Sequence, residues 1–317
     1  MTLSFPDIFQ TRQSSMSTET VDPRYIDLDS WPSEYAVDAM LEGQMAAVAA
    51  VADQSSRIAA ASIAAAERLL DGNRLVYVGA GTSGRIAVQD GVELTPTYNW
   101  PSERLAFMMA GGMTALAASV EGAEDNIERA LQEVEALHLD RRDVVIGVAA
   151  SGRTPYTVEA IKAARKTGAL TIAIANNADS ALLEAAEHPV LAATGSEVVA
   201  GSTRMKAGTA QKVVLNTLST AIMLRLGLVC RGLMVNMRVS NVKLQQRAVL
   251  MLCRLAKVDQ DKAEKALVIA QNDIRKAVLV AMGQSIAEAE KTLADCRGNL
   301  RQAMEILAAP SGDKGLL

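Results

Sequence analysis

The apolar run Leu75-Val76-Tyr77-Val78 passes directly into Gly79-Ala80-Gly81-Thr82-Ser83-Gly84-Arg85, and this junction constrains the fold more than any other stretch. The run reads as a strand. Glycines at 79, 81 and 84 let the backbone turn tightly into a helix whose first N–H groups and dipole favour an anion. A phosphate is the expected guest. The same letters satisfy the dinucleotide pattern Gly-x-Gly-x-x-Gly, so the loop alone leaves two classes of phosphate compound open.

Around this junction, short apolar segments alternate with helical patterns. Strands are expected at 74–78, 105–109, 143–149, 169–175 and 189–193, which is the pattern of a parallel sheet covered on both faces. Before them, the polar segment 1–32, with Pro6, Pro23 and Pro32, reads as an extended arm or a set of turns. Alanine-rich sequence over 33–70 reads as one or two long helices. After the sheet, a long helix is expected from Ser202 or Thr203 to about Leu226, with another following Gly232. Beyond residue 254 the pattern becomes short amphipathic helices at 260–270, 272–282 and 285–294, a small helical unit over 255–309. The tail 310–317 is expected to fray.

Composition narrows the function. The chain of 317 residues is 50% apolar but only 3% aromatic and carries a net charge of -4. Such a chain lacks the basic and aromatic surface that nucleic acid requires. Cys230, Cys253 and Cys296 match no Cys-x-x-Cys spacing or disulfide framework and are expected as thiols in a reducing cytoplasm. His138 and His188 stand apart without clustered acidic or thiol partners, so no metal site is expected. His188 opens a strand and is read as structural. The longest apolar helix pattern, about 213–229, is interrupted by Asn216, Thr217, Ser219, Thr220 and Arg225, and no leader pattern opens the chain. These features point to a cytoplasmic protein with no membrane partner.

The dinucleotide reading needs an acidic residue about 20 positions beyond the glycines, at the end of the second strand. That strand ends instead in Ala110-Gly111-Gly112. A second turn, Ala149-Ala150-Ser151-Gly152-Arg153-Thr154-Pro155, repeats the small and hydroxyl-bearing character of the first. Two such turns at neighbouring strand ends suit one phosphomonoester, held by Gly81, Thr82, Ser83, Ser151, Gly152, Arg153 and Thr154.

These two turns, with Gly201-Ser202-Thr203-Arg204-Met205-Lys206-Ala207-Gly208-Thr209-Ala210-Gln211-Lys212, resemble the three signature segments of the N-acetylmuramic acid 6-phosphate etherases, of the sugar isomerase (SIS) domain superfamily. The similarity extends through Pro96-Thr97-Tyr98 and Val120-Glu121-Gly122-Ala123-Glu124-Asp125, covering roughly 70–239. It implies a three-layer αβα sandwich with a five-stranded parallel sheet over 33–254, followed by the small helical domain. A homodimer is expected from the superfamily. The implied reaction cleaves the D-lactyl ether at C3 of N-acetylmuramic acid 6-phosphate, giving N-acetylglucosamine 6-phosphate and D-lactate without a cofactor.

By motif, Glu93 resembles the acid that protonates the departing lactate and Glu124 the base at C2. In the open-chain sugar the C2 proton is α to the aldehyde, so a carboxylate can remove it, and the C3 oxygen leaves readily only when protonated. Burial of Glu93 beside Leu94 and Pro96 is the expected means of keeping it protonated, with Glu124 in a more polar setting. Glu197 matches a family position without an assigned role. Arg204 and Lys206 fit either neutralisation of a substrate anion or pairing with Glu197. Ser202 and Thr203 fit an N-cap, or a place in a partner subunit's site.

Two departures stand out. Thr18-Glu19-Thr20-Val21-Asp22-Pro23 replaces the family's Thr-Glu-Gly-Arg-Asn, and Gly91-Val92-Glu93-Leu94-Thr95-Pro96-Thr97-Tyr98 replaces Ala-Ser-Glu-Cys-Pro-Pro-Thr-Tyr. Two other readings remain: a non-catalytic phosphosugar sensor similar to the glucokinase regulatory protein, and a phosphosugar aldose–ketose isomerase. Retention of both glutamates distinguishes the chain from the first, and the acid placed for a C3 leaving group distinguishes it from the second.

Overall fold

The computed structural model describes residues 17–70 and 72–309. Five strands, β1 (Leu75–Gly79), β2 (Leu105–Met109), β3 (Val144–Ala149), β4 (Leu170–Ala175) and β5 (His188–Leu191), form one parallel sheet in the order β2-β1-β3-β4-β5. The three central strands are buried on both faces, so, Thr171 apart, their sequences are apolar throughout rather than alternating. Edge strand β5 tolerates Pro189, and His188 opens it.

Successive residues of β1 serve opposite layers. Leu75 and Tyr77 enter a core with α1 (Ser33–Ala52), α2 (Ser55–Leu69), α3 (Gly81–Tyr98) and α7 (Lys206–Arg225). Val76 and Val78 enter the other, with α4 (Ile127–Leu137), α5 (Pro155–Lys166) and the short α6 (Ala181–Ala185). The result is the expected αβα sandwich. Helix α3 ends where Pro96 withdraws an amide donor and Asn99 turns left-handed, at φ 49.

A separate apolar cluster unites α8 (Val242–Ala256), α9 (Gln260–Ile269), α10 (Ile274–Ala281), α11 (Ile286–Asp295) and α12 (Leu300–Ala308), with Cys230, Val235 and Met237. The boundary expected at 254/255 falls inside α8, whose Leu252 and Leu255 both belong to this cluster. The helix expected after Gly232 begins only at Val242, where the Asn241 side chain accepts from Leu244 N–H.

Of the arm, residues 17–32 form three 3-10 turns, Ser17–Glu19, Pro23–Tyr25 and Leu28–Ser30. Its first sixteen residues and the expected fraying tail at 310–317 lie outside the described residues. Cys230 and Cys296 are buried, Cys253 is half-buried, and all three are free thiols. Among the described residues no helix is long and apolar enough to cross a membrane, and no group of His, Cys, Asp or Glu is placed to hold a metal ion.

Candidate functional site

Strand order reverses between β1 and β3, and the turns leaving these two strands carry α3 to one face of the sheet and α5 to the other. A crevice opens at such a switch point. Close packing dictates the glycines there. A Cβ on Gly79 would lie 2.7 Å from Gly84 Cα, so α3 approaches the sheet only because neither residue has a side chain. Gly152 has φ +65, and a Cβ on it would lie 2.3 Å from Ser180.

The crevice holds a cleft of about 460 Å³ whose walls include Gly81, Thr82, Ser83, Glu124, Ser151, Arg153, Thr154 and Thr203. Both helices that open onto it lack a side-chain cap: neither Ala80, before α3, nor Thr154, before α5, accepts from the first turn. The first amides of α3 meet no side-chain acceptor, α5 opens on Pro155, which has no N–H, and both helix dipoles favour an anion there. Ser151 Oγ accepts from Arg153 N–H at 3.1 Å, which sets the second turn. Gly152 lies buried beneath it.

Glu124 sits exposed in the 3-10 turn Ala123–Asp125 and also lines an adjoining cleft of about 330 Å³ with Gly81 and Arg85. Arg85 itself donates to the carbonyls of Ala115 (3.0 Å) and Ala118 (3.3 Å), bracing the opposite wall. Asp125 and Glu19 line the larger cleft as well, two acids that the motif reading did not assign. The only local signal for Glu19 was the Thr18-Glu19 remnant in the divergent arm.

Other expected site residues lie elsewhere. Glu93 lies on α3, roughly 18 Å along the helix axis from Gly81 at about 1.5 Å per residue. It is exposed, flanked by exposed Gln89, Val92 and Pro96, while Leu94 turns into the core. The expected burial beside Leu94 and Pro96 is therefore absent within one chain, because successive helix positions face directions about 100° apart.

Glu197 is 0% exposed. It accepts from Lys206 N–H and Ala207 N–H at 2.9 Å each, so it caps α7 from outside the helix. This explains why α7 starts at Lys206 rather than at Ser202 or Thr203. Those two residues belong to a run of turns in which Ser202 O accepts from Met205 N–H. Lys206 Nζ donates to Ser196 O at 2.7 Å and is buried beside the cap, so its ammonium serves that carbonyl. Arg204 is exposed, and neither it nor Ser202 lines the cleft.

A buried carboxyl outside the cleft ties α3 to the sheet and α7. Asp90 accepts from Tyr77 Oη (3.0 Å), Asn216 Nδ2 (2.6 Å) and Ser219 Oγ (3.3 Å). Burial pushes its carboxyl above the usual carboxylate range, against the pull of these bonds and of nearby Lys212.

A solved structure from Bacteroides fragilis, assigned as a phosphosugar isomerase of capsule formation, is similar in fold, with TM-score 0.50 and 19% identity over 63% of this chain and 95% of that one. Residues 57–165 match the family model of the glucokinase regulatory protein N-terminal SIS domain. Fold and match together define an SIS-type domain. Over greater length the chain is 44% identical to an N-acetylmuramic acid 6-phosphate etherase of Deinococcus radiodurans, covering 90% of this chain and 94% of that one. A Streptomyces coelicolor etherase of the same name is 43% identical over 94% of this chain and 96% of its own. The chain belongs to the N-acetylmuramic acid 6-phosphate etherase family.

Proposed function

We propose that this protein cleaves the D-lactyl ether of N-acetylmuramic acid 6-phosphate, releasing D-lactate and N-acetylglucosamine 6-phosphate in cytoplasmic recycling of cell-wall amino sugars. The observation that carries the reading is Glu124 on the wall of a cleft that also presents two uncapped helix N-termini and the hydroxyls of Thr82, Ser83, Ser151 and Thr154. The 6-phosphate lies against those amides, with Arg153 as the cation in the wall. Gly81, Gly152 and Thr203 complete its surroundings.

Glu124 takes the C2 proton of the open-chain aldehyde, and the electron pair left on C2 expels the C3 oxygen as that oxygen is protonated. D-Lactate departs. Water then adds to C3 of the unsaturated aldehyde, and C2 regains a proton. Each step moves protons between positioned groups and the sugar, as general acid–base catalysis requires.

Glu93 is the acid, supplied by a second copy of the chain. It lies roughly 18 Å along the helix axis from Gly81 at about 1.5 Å per residue, on an exposed face, which favours its supply to the cleft of a second copy. Its exposed helix face is apolar in part, with Val92 beside it. On the same side of the sheet, α1 exposes Val37, Leu41, Met45 and Val48 at helical spacing. Pairing of these faces in a homodimer would bury Glu93.

The test is release of D-lactate by the purified protein without added metal. Tight binding of a sugar phosphate without lactate release would return the protein to the sensor reading that the regulatory-protein match raises. Mixing Glu93→Gln with Glu124→Gln checks the shared site. In a symmetric dimer, each mixed pair regains one intact site, so about a quarter of the activity should return. Failure of two inactive variants to complement each other would put the acid elsewhere.

A further inference from the structure

The cleft holds a carboxylate that the proposed chemistry leaves unused. Glu19 comes from the arm, far from the sheet in sequence, yet it lines the same walls as Glu124, Ser83, Ser151 and Thr203. Its backbone is held from below. Thr18 is 0% exposed. Ser17 Oγ and Thr18 N–H both donate to Asn177 Oδ1, at 3.0 and 3.3 Å. Asn177 Nδ2 donates to Thr18 Oγ1 and to Ala150 O, each at 2.9 Å. Thr18 O accepts from Gly201 N–H at 3.1 Å. One amide side chain thus binds the arm to the turn that carries Ser151, while the Gly201 amide binds it to the turns that carry Thr203.

This clamp presents Glu19 to the cleft. A Cβ on Gly201, where φ is +74, would lie 3.0 Å from Glu19 Oε2, so the carboxylate occupies space that any other residue at 201 would contest. Among the described residues the Glu19 carboxylate has no hydrogen-bond or ion-pair partner.

Electrostatics selects what it meets. The proposed substrate carries a phosphate and a lactyl carboxylate, and Glu124 and Asp125 already place negative charge in the walls. Like charges in a partly enclosed site repel, so Glu19 must face a neutral donor rather than either anion. A sugar hydroxyl is such a donor, and a bond to a charged acceptor is among the stronger neutral-partner contacts.

We propose that Glu19 is a substrate-binding residue whose carboxylate accepts a hydrogen bond from a hydroxyl of the sugar and so turns C2 toward Glu124. The inference rests on the phosphosugar reading of the cleft. It is independent of ether cleavage.

The test compares binding of N-acetylglucosamine 6-phosphate and of inorganic phosphate by calorimetry in the wild-type protein, Glu19→Gln and Glu19→Ala. Glu19→Ala should weaken sugar phosphate binding about tenfold to a hundredfold without weakening phosphate binding, with Glu19→Gln, which keeps a neutral acceptor, falling between. Equal losses for both ligands would assign Glu19 to the clamp alone, and equal affinity in all three proteins would remove it from the site. A wild-type protein that binds neither ligand would overturn the phosphosugar reading and this assignment with it. Binding without lactate release would overturn only the etherase reading, and the affinity ratios would still decide Glu19.

Discussion

The helices of the C-terminal layer and those beside the cleft begin in opposite ways. Helices α8, α9, α10, α11 and α12 each start on a side chain that accepts from the first turn: Asn241, Asp259, Asp273, Ser285 and Asn299. Helices α3 and α5 start on Ala80 and Thr154, which accept nothing there. In the C-terminal layer each helix's own cap satisfies orphan amides, whereas α1, α2 and α6 begin, like the cleft helices, without one. At the cleft, packing such as the Gly79–Gly84 contact stands in for a side-chain cap on α3.

The sharpest test is chemical. Glu124→Gln should lower kcat by about a hundredfold to ten-thousandfold, the range for loss of a general base, and should stop exchange of the C2 proton with deuterium oxide. Exchange at the wild-type rate would assign the base to another group. The comparison itself is broken by giving a cleft helix a cap of its own. Ala80 is extended, with φ -127 and ψ 157, as an N-cap requires. Ala80→Asp should raise KM about a hundredfold through repulsion of the phosphate, while the melting temperature holds or rises. A fall in stability with no change in KM would mean that these amides do not serve the ligand.

Removal of the remote cap at Glu197 should cost about 2–4 kcal/mol in denaturant unfolding, because Glu197→Ala leaves two buried amides of α7 unpaired. Removing an ordinary cap is milder. Asn299→Ala should cost about 1 kcal/mol and leave kcat and KM at wild-type values.

The smallest effect concerns the raised carboxyl of Asp90. Between its unfolded value near 3.8 and its higher folded value, the native state holds a proton that the unfolded chain has released, so stability falls as pH rises through this interval. Asp90→Asn should flatten that slope. An unchanged slope would show that Asp90 is ionised on folding.

The sheet and the two glycine- and hydroxyl-bearing turns were legible in the sequence because both are local. Five apolar runs each lie within a few positions of the observed strands, and the glycine and hydroxyl spacing of each turn is read over about six residues. The start of α7 was not legible. Ser202 and Thr203 look like caps by adjacency, whereas the acceptor is Glu197, brought back by intervening turns. Glu93 was legible as a motif but not as a position, since no local pattern reveals that the outer face of α3 is bare. Glu19 reaches the cleft through bonds to Asn177 across 159 and 160 positions, a separation that local pattern reading does not bridge.

That last separation has a consequence for the order in which the molecule comes into being. The Asn177 amide cannot grip Ser17 and Thr18 until β3 and β4 are in place, because it also bonds the Ala150 carbonyl that follows β3. Contacts that close so long a loop are entropically costly until the intervening structure has shortened it. The arm therefore docks late, and a nascent chain can possess a finished sheet while one wall of its cleft is still missing. The wall that carries Glu19 is complete only once segments 159 and 160 positions apart have met.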